Sequence, residues 1–346
     1  MRRRDFMTGA AAAAAAISAP DPARAQAKLE ITKLDLGFGL DPVFAPHILA
    51  MQKGWLREAG LTEVSTRSFT SGALAGEALI AGQIQLWTPG NLPPISMVAN
   101  DVPVVVLGTN CIASEADRLV ARKDASIRKP EDLYTIKIGL LAGSTASAML
   151  QNIAKRYGLD EKRLQAVNLP PPEQLAGLNS GNVQALLCWQ PWGHNAVKGG
   201  GELIHSGTTS FFEANRGQPA PVSATRSLFV SSQDFVRKNP NAVRAVMSAL
   251  VRGQKYAADP ANRAEVVGLV ARETKQDPAV VEAIWDQYVF NPAFDEAYVA
   301  DMRSMAGYLV ASGRVRAVAD PMDYTYTAPV AAADPGLVKI QGRARI

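Results

Sequence analysis

Reactive and metal-ligating side chains are scarce in this chain. Only Cys111 and Cys188 carry a thiol, and only His47, His194 and His205 an imidazole. The cysteines lie far apart and fit no Cys-x-x-Cys spacing, so they supply neither a disulfide framework nor a zinc site; two buried free thiols are expected. No histidine belongs to a His-Glu-x-x-His pattern, and Gly-x-Ser-x-Gly, the P-loop and Gly-x-Gly-x-x-Gly are all missing. Those gaps remove the zinc-hydrolase, nucleophile-elbow and nucleotide-binding readings, leave an enzyme little to stand on, and give no reason to expect a cofactor or metal. An excess of one charge is lacking too. Lys and Arg number 36 against 32 Asp and Glu, with no long basic run, so no nucleic-acid partner is expected.

The amino terminus departs from this pattern. Arg3-Arg4-Asp5-Phe6-Met7 is a twin-arginine pattern, followed by an apolar run over 9–19 and the small-residue site Ala23-Arg24-Ala25. Eleven apolar residues fall short of the roughly 20 needed to cross a bilayer, so residues 1–25 read as a removable export signal. No later stretch is long and apolar enough to span either. A soluble, periplasmic mature chain beginning near Gln26 is expected, with 32 basic against 30 acidic side chains and a net charge of +2.

The mature chain exceeds the size at which one core usually keeps growing, so two lobes are expected. Short apolar runs at 31–38, 64–69, 84–88 and 102–107 alternate with helical patterns at 46–53, 73–81 and 92–100. The alternation restarts after 115, with strands at 118–122, 136–141, 164–168 and 184–188 and helices at 145–157 and 172–180. Such βαβ order predicts an α/β protein with largely parallel sheets, whose ligand lies beyond the carboxyl ends of the strands. From Asn241 the pattern is helical: Val243, Val246, Met247, Leu250 and Val251 recur at helix spacing, as do Tyr298, Met302, Met305 and Leu309. These stripes read as core.

Six motifs in order carry a family resemblance: Lys53-Gly54-Trp55-Leu56 with Ala59-Gly60-Leu61; Ala78-Leu79-Ile80-Ala81-Gly82-Gln83-Ile84; Lys129-Pro130-Glu131-Asp132-Leu133; Gly143-Ser144-Thr145; Leu187-Cys188-Trp189-Gln190-Pro191-Trp192; and Phe235-Val236-Arg237-Lys238-Asn239-Pro240. The chain resembles the sulfonate, taurine and nitrate branch of periplasmic solute-binding proteins, related also to riboflavin- and thiamine-precursor binders. The resemblance implies a two-lobe type II periplasmic-binding-protein fold, two mainly parallel sheets joined by two crossing strands. Lobe I would comprise 26–110 and 226–316, lobe II 111–225, and 317–346 a carboxy-terminal tail. The implied function is the solute-binding component of an ABC import system. It would act as a monomer, take a small organic anion such as an aliphatic sulfonate, and hand it to a membrane permease. Nitrate-like oxyanions, aromatic carboxylates and pyrimidine precursors are alternative ligands. A thiamine-pyrimidine-synthase-like enzyme and a periplasmic sensor are alternatives of another class; the cysteine-rich iron motif of those synthases is missing here.

Candidate ligand residues follow from the strand-end loops. Gly143, Ser144 and Thr145 join a strand to a helix start, whose unpaired amides and partial positive charge suit an oxyanion, although Ser144 is equally an ordinary helix cap. Trp189 and Gln190 close the next strand, offering a ring for an apolar part and an amide for a polar one. Relatives usually carry an acid where Gln190 stands, so its neutrality points to an uncharged ligand tail rather than an amine. Phe38, Asp41, Ser71, Asn91 and Asn110 occupy the strand-end loops of the first lobe, Asn91 as cap or cleft amide and Asp41 as turn or ligand contact. Arg226, before the expected return strand 227–231, is either a counter-ion or a solvated arginine.

Overall fold

The computed structural model describes residues 28–39, 41–69 and 72–346; residues 1–25, expected to be an export signal, and Ser71 lie outside these. The chain begins with β1 (Lys33–Phe38), α1 (Ala45–Gln52), α2 (Trp55–Glu58), β2 (Glu63–Ser68), α3 (Gly72–Ile80), α4 (Leu92–Ala99) and β3 (Val104–Ile112). It continues with β4 (Asp117–Ala121), β5 (Lys137–Leu140), α5 (Thr145–Arg156), β6 (Gln165–Asn168), α6 (Pro171–Ser180), β7 (Ala185–Trp189), α7 (Trp192–Lys198), β8 (Glu202–Ser206), β9 (Thr209–Ser210) and β10 (Gln218–Pro219). It returns through β11 (Arg226–Ser232) into α8 (Gln233–Lys238), α9 (Pro240–Ala258), α10 (Arg263–Thr274), α11 (Pro278–Ile284), β12 (Val289–Phe290), α12 (Glu296–Ala311) and α13 (Ala328–Ala333).

Buried side chains divide along the same lines. One core gathers residues from 34–116 and 228–337, with Ala148 of α5 added; we refer to this body as lobe I. Two further cores take residues from 119–222 and cover the two faces of one sheet, lobe II. The alternation is strict: Leu119 and Ala121 face one side and Val120 the other, as do Ala185 and Leu187 against Leu186 and Cys188. Period-two strands buried on both faces need apolar residues at every position, which is why 185–188 reads Ala-Leu-Leu-Cys. Each Leu or Val so buried contributes about 1.5–3 kcal/mol by leaving water.

The sheets are mixed, against the expectation of mainly parallel ones. In lobe II the order is β10-β9-β8-β4-β7-β5-β6, and only β7-β5 and β5-β6 pair in parallel. β4 runs antiparallel to both neighbours, with Asp117 opposite Trp189. The cause is connectivity: the chain enters lobe II at the rim where β7 ends, so the first strand must run the other way. In lobe I, β1 and β2 are parallel while β11 and β12 flank β3 antiparallel. The stretch expected as a strand at 84–88 makes isolated bridges instead, Leu36 to Leu86 and Trp87 to Val230, stitching β1 to β11.

Two crossings join the lobes, and they are tied together. Ala113 N–H donates to the Thr225 carbonyl (2.9 Å), while the buried Asp117 carboxylate accepts from Ser223 Oγ (2.7 Å) and Thr225 Oγ1 (2.6 Å). Gly207 packs so closely on Ser114 that a Cβ there would lie 1.7 Å from its carbonyl oxygen. Residues 317–346 are no loose tail: Met322, Tyr324, Val330 and Leu337 are buried in lobe I, and Tyr326 N–H bonds to Val106 O (2.8 Å).

Candidate functional site

Topology brings two loops of lobe II side by side. β5 and β7 are parallel neighbours with Leu140 opposite Leu187, so the loop 141–144 after β5 and Trp189 at the end of β7 share one rim. Gly143 holds φ +79° there, a conformation glycine adopts without strain. Ser144 does not cap α5 with its side chain. Its Oγ donates backwards to Leu141 O (2.7 Å), where Ser147 Oγ also donates (3.1 Å). The first-turn amides of Thr145 and Ala146 therefore keep no acceptor among the described residues. Buried donors of this kind at the positive end of a twelve-residue helix favour an anion.

Two further groups flank that helix start. A Cβ on Gly143 would sit 3.4 Å from Nη1 of Arg314, so an exposed guanidinium lies over the loop. Across from it, a Cβ on Gly90 of lobe I would lie 3.1 Å from Thr145 Cγ2. Next to Gly90, which bridges to Ser227, the buried Asn91 spans to the return crossing: its Nδ2 donates to Ala224 O (2.9 Å) and its Oδ1 accepts from Arg226 N (3.4 Å). Asn91 is thus a tether between α4 and the crossing, making no cap contact with its side chain. Arg226 is 2% exposed, and its Nε meets Asp301 Oδ2 at 2.5 Å. It is therefore no solvated arginine. Among the described residues its Nη1 has no hydrogen-bond partner, and the guanidinium lies 5.9 Å from the Tyr298 ring centre. Burial holds the Asp301 carboxyl above its ordinary range, against the pull of Arg226.

The lobe I strand ends form a second group. Phe38 stacks obliquely on Phe44 with ring centres 4.9 Å apart. Asp41 accepts from Val43 N (3.0 Å), and burial pushes its carboxyl up to about 7. It lies near enough to both Cys111 and Cys188 to push their thiols further up, burial being the larger cause; both thiols are free. Asn110 is fully buried and structural on its donor side, bonding Val43 O (2.7 Å) and Ser227 Oγ (3.3 Å), while its Oδ1 lacks a partner among the described residues. Among the described residues, no group of three or more His, Cys, Asp or Glu could hold a metal ion.

Gln190 differs from its sequence reading. Its Oε1 accepts from His194 N (2.7 Å) and its Nε2 donates to Gln287 Oε1 (2.8 Å). An amide engaged on both sides fixes α7 and links lobe II to the segment before β12, so Gln190 has a structural role beside the ligand role expected for it. Trp189 stays half-buried at the rim. Arg314 escaped the sequence reading, since nothing local marks an arginine after Gly313 as belonging to a loop far earlier in the chain.

Two lobes are thus joined by two crossings, with an anion-suited helix start where they face each other. The solved structure of the alkanesulfonate-binding protein SsuA from Xanthomonas axonopodis pv. citri, bound to MOPS, shares this fold: TM-score 0.72 at 21% identity, covering 86% of this chain and 99% of that one. The nitrate-binding protein NrtA from Synechocystis PCC 6803 matches with a TM-score of 0.71 at 15% identity, over 89% and 90% of the two chains. The chain belongs to the NMT1-like family, whose profile matches residues 27–271. It is 31% identical over 205 residues to the taurine-binding periplasmic protein of Escherichia coli, a match covering 59% of this chain and 60% of that one. A putative aliphatic sulfonates-binding protein of the same organism is 25% identical over 56% of this chain and 59% of its own. The match thus spans about three-fifths of the length of these two relatives.

Proposed function

We propose that this chain is the extracytoplasmic solute-binding component of an ABC import system, holding one small organic anion of the aliphatic-sulfonate class between its lobes. The observation that carries the reading is the start of α5, where the unpaired amides of Thr145 and Ala146 lie beside Arg314 and opposite Gly90. Amide donors and a guanidinium suit the spread charge of a sulfonate, and Trp189 offers apolar surface to its carbon tail. The sulfonate- and taurine-binding relatives support the same ligand class. Residues 1–25 act as the export signal, the mature monomer works in the periplasm, and a membrane permease receives the solute. No described helix is long and apolar enough to cross a membrane.

A second reading comes from the desulfurization enzyme DSZB, which shares the fold with a TM-score of 0.63 at 16% identity. Mass spectrometry of solute released from the freshly purified protein separates the two. Binding predicts one sulfonate-class compound returned unchanged after incubation; its conversion to a desulfonated product with turnover would establish the enzyme instead.

A further inference from the structure

Behind the return crossing lies an open cavity of about 430 Å³ lined by Asn152, residues 221–224 and the exposed Lys155, Arg156 and Ser304. Its size falls within the roughly 300–1,000 Å³ of small-ligand sites. Asn152, Lys155 and Arg156 stand at i, i+3 and i+4 on α5, so one face of the helix turns all three toward the crossing. Basic residues in a last helical turn complement the helix dipole, which accounts for their charge but not for their meeting a cavity. Among the described residues neither cation has a carboxylate partner; the single bond from Arg156 goes from Nη2 to Pro219 O (3.4 Å).

The cavity sits where the lobes articulate. Asn152 Nδ2 holds Val222 O (2.9 Å) on the lobe II side, and Asn91 Nδ2 holds Ala224 O (2.9 Å) on the lobe I side. Between them Ser223 is bonded to Asp117. The opposite wall, Ser304, belongs to α12 of lobe I. A rotation of one lobe against the other that shifts α5 relative to α12 therefore changes the spacing of Lys155 and Arg156 from Ser304.

We propose that this cavity is a second anion site, taking a compact multivalent oxyanion, a phosphate or a small polycarboxylate, that braces α5 against α12. Because such an anion favours one lobe spacing, it and the solute in the cleft change each other's affinity by the same factor. The site itself does not depend on what the cleft binds.

The test is calorimetric titration of inorganic phosphate, and separately of citrate, into the mature protein in Tris-chloride. The parent, Gly143→Val and the double variant Lys155→Ala/Arg156→Ala are compared, with circular dichroism to confirm folding. Saturable one-to-one binding of at least one anion is expected in the parent and in Gly143→Val, weakened about tenfold or more in the double variant and recovered in Lys155→Arg/Arg156→Lys. Absence of saturable binding of both anions to the parent, or equal binding by the double variant, would overturn the proposal. Loss of the site in folded Gly143→Val would overturn it too, by placing the anion in the cleft.

Discussion

Gly90 of lobe I and Thr145 of lobe II touch across the cleft: a Cβ at position 90 would lie 3.1 Å from Thr145 Cγ2. A glycine at position 90 leaves room for the Thr145 side chain, which a Cβ would crowd. Gly90→Val should therefore prop the lobes apart at the start of α5. Solute affinity is expected to fall at least about tenfold, equivalent to ~1.4 kcal/mol, while the melting temperature changes little. Unchanged affinity would mean that this contact does not limit closure.

The loop at 143–144 separates two roles. Gly143→Val forces a branched residue into φ +79° beneath Arg314, so binding should fall by about tenfold or more. Ser144→Ala removes only a bond to Leu141 O that Ser147 also makes. It should cost about 1 kcal/mol of stability or less and leave affinity within about twofold. Equal losses of affinity in the two variants would return the ligand contact to the hydroxyl.

Much of this site was legible in the sequence because its parts are local. An apolar strand, a glycine and a helix start within ten residues define the amide cradle whatever surrounds it. Arg314 was not legible as a member of it, since its place is set by how the end of α12 packs against α5. Gln190 shows what sequence leaves out: an amide at a strand end reads as a ligand group, and its two protein partners, His194 N and Gln287, come from packing that the local sequence does not announce. The stretch 84–88 has the composition of a strand, yet its neighbours β1 and β11 pair with it at single bridges. β12 and the β8–β10 group are too short or too polar to announce themselves, and with them the antiparallel character of the sheets was missed.

Asp41 should make stability depend on pH. Its carboxyl is raised from 3.8 to about 7 by burial, so the folded state binds the proton more tightly than the unfolded one. Stability then falls as pH climbs from about 4 to about 7 and levels off above. Asp41→Asn keeps an oxygen for Val43 N–H and removes the ionisation. It should stabilise the protein at pH 8, on the order of 1–3 kcal/mol, and much less at pH 4. Denaturant melts at the two pH values check this; an equal effect at both would mean that Asp41 ionises freely in the fold.

Arg226 and Asp301 should behave as a buried pair. Removing Arg226 alone, as in Arg226→Met, leaves a half-buried carboxylate without its cation and should destabilise by about 3–5 kcal/mol. The double variant Arg226→Met/Asp301→Leu should recover most of that loss. Urea melts measure both; a double variant no more stable than the single one would show that Arg226 acts through something other than its pairing.

The central claim, that the start of α5 and Arg314 hold a sulfonate unchanged between the lobes, is tested most directly by calorimetric titration of a short alkanesulfonate into the mature protein in a sulfonate-free buffer. The expected result is one saturable site per chain, weakened about tenfold or more by Arg314→Ala and partly restored by Arg314→Lys, with the sulfonate recovered intact. Absence of saturable binding by the parent, or binding that Arg314→Ala and Gly143→Val both leave untouched, would contradict it.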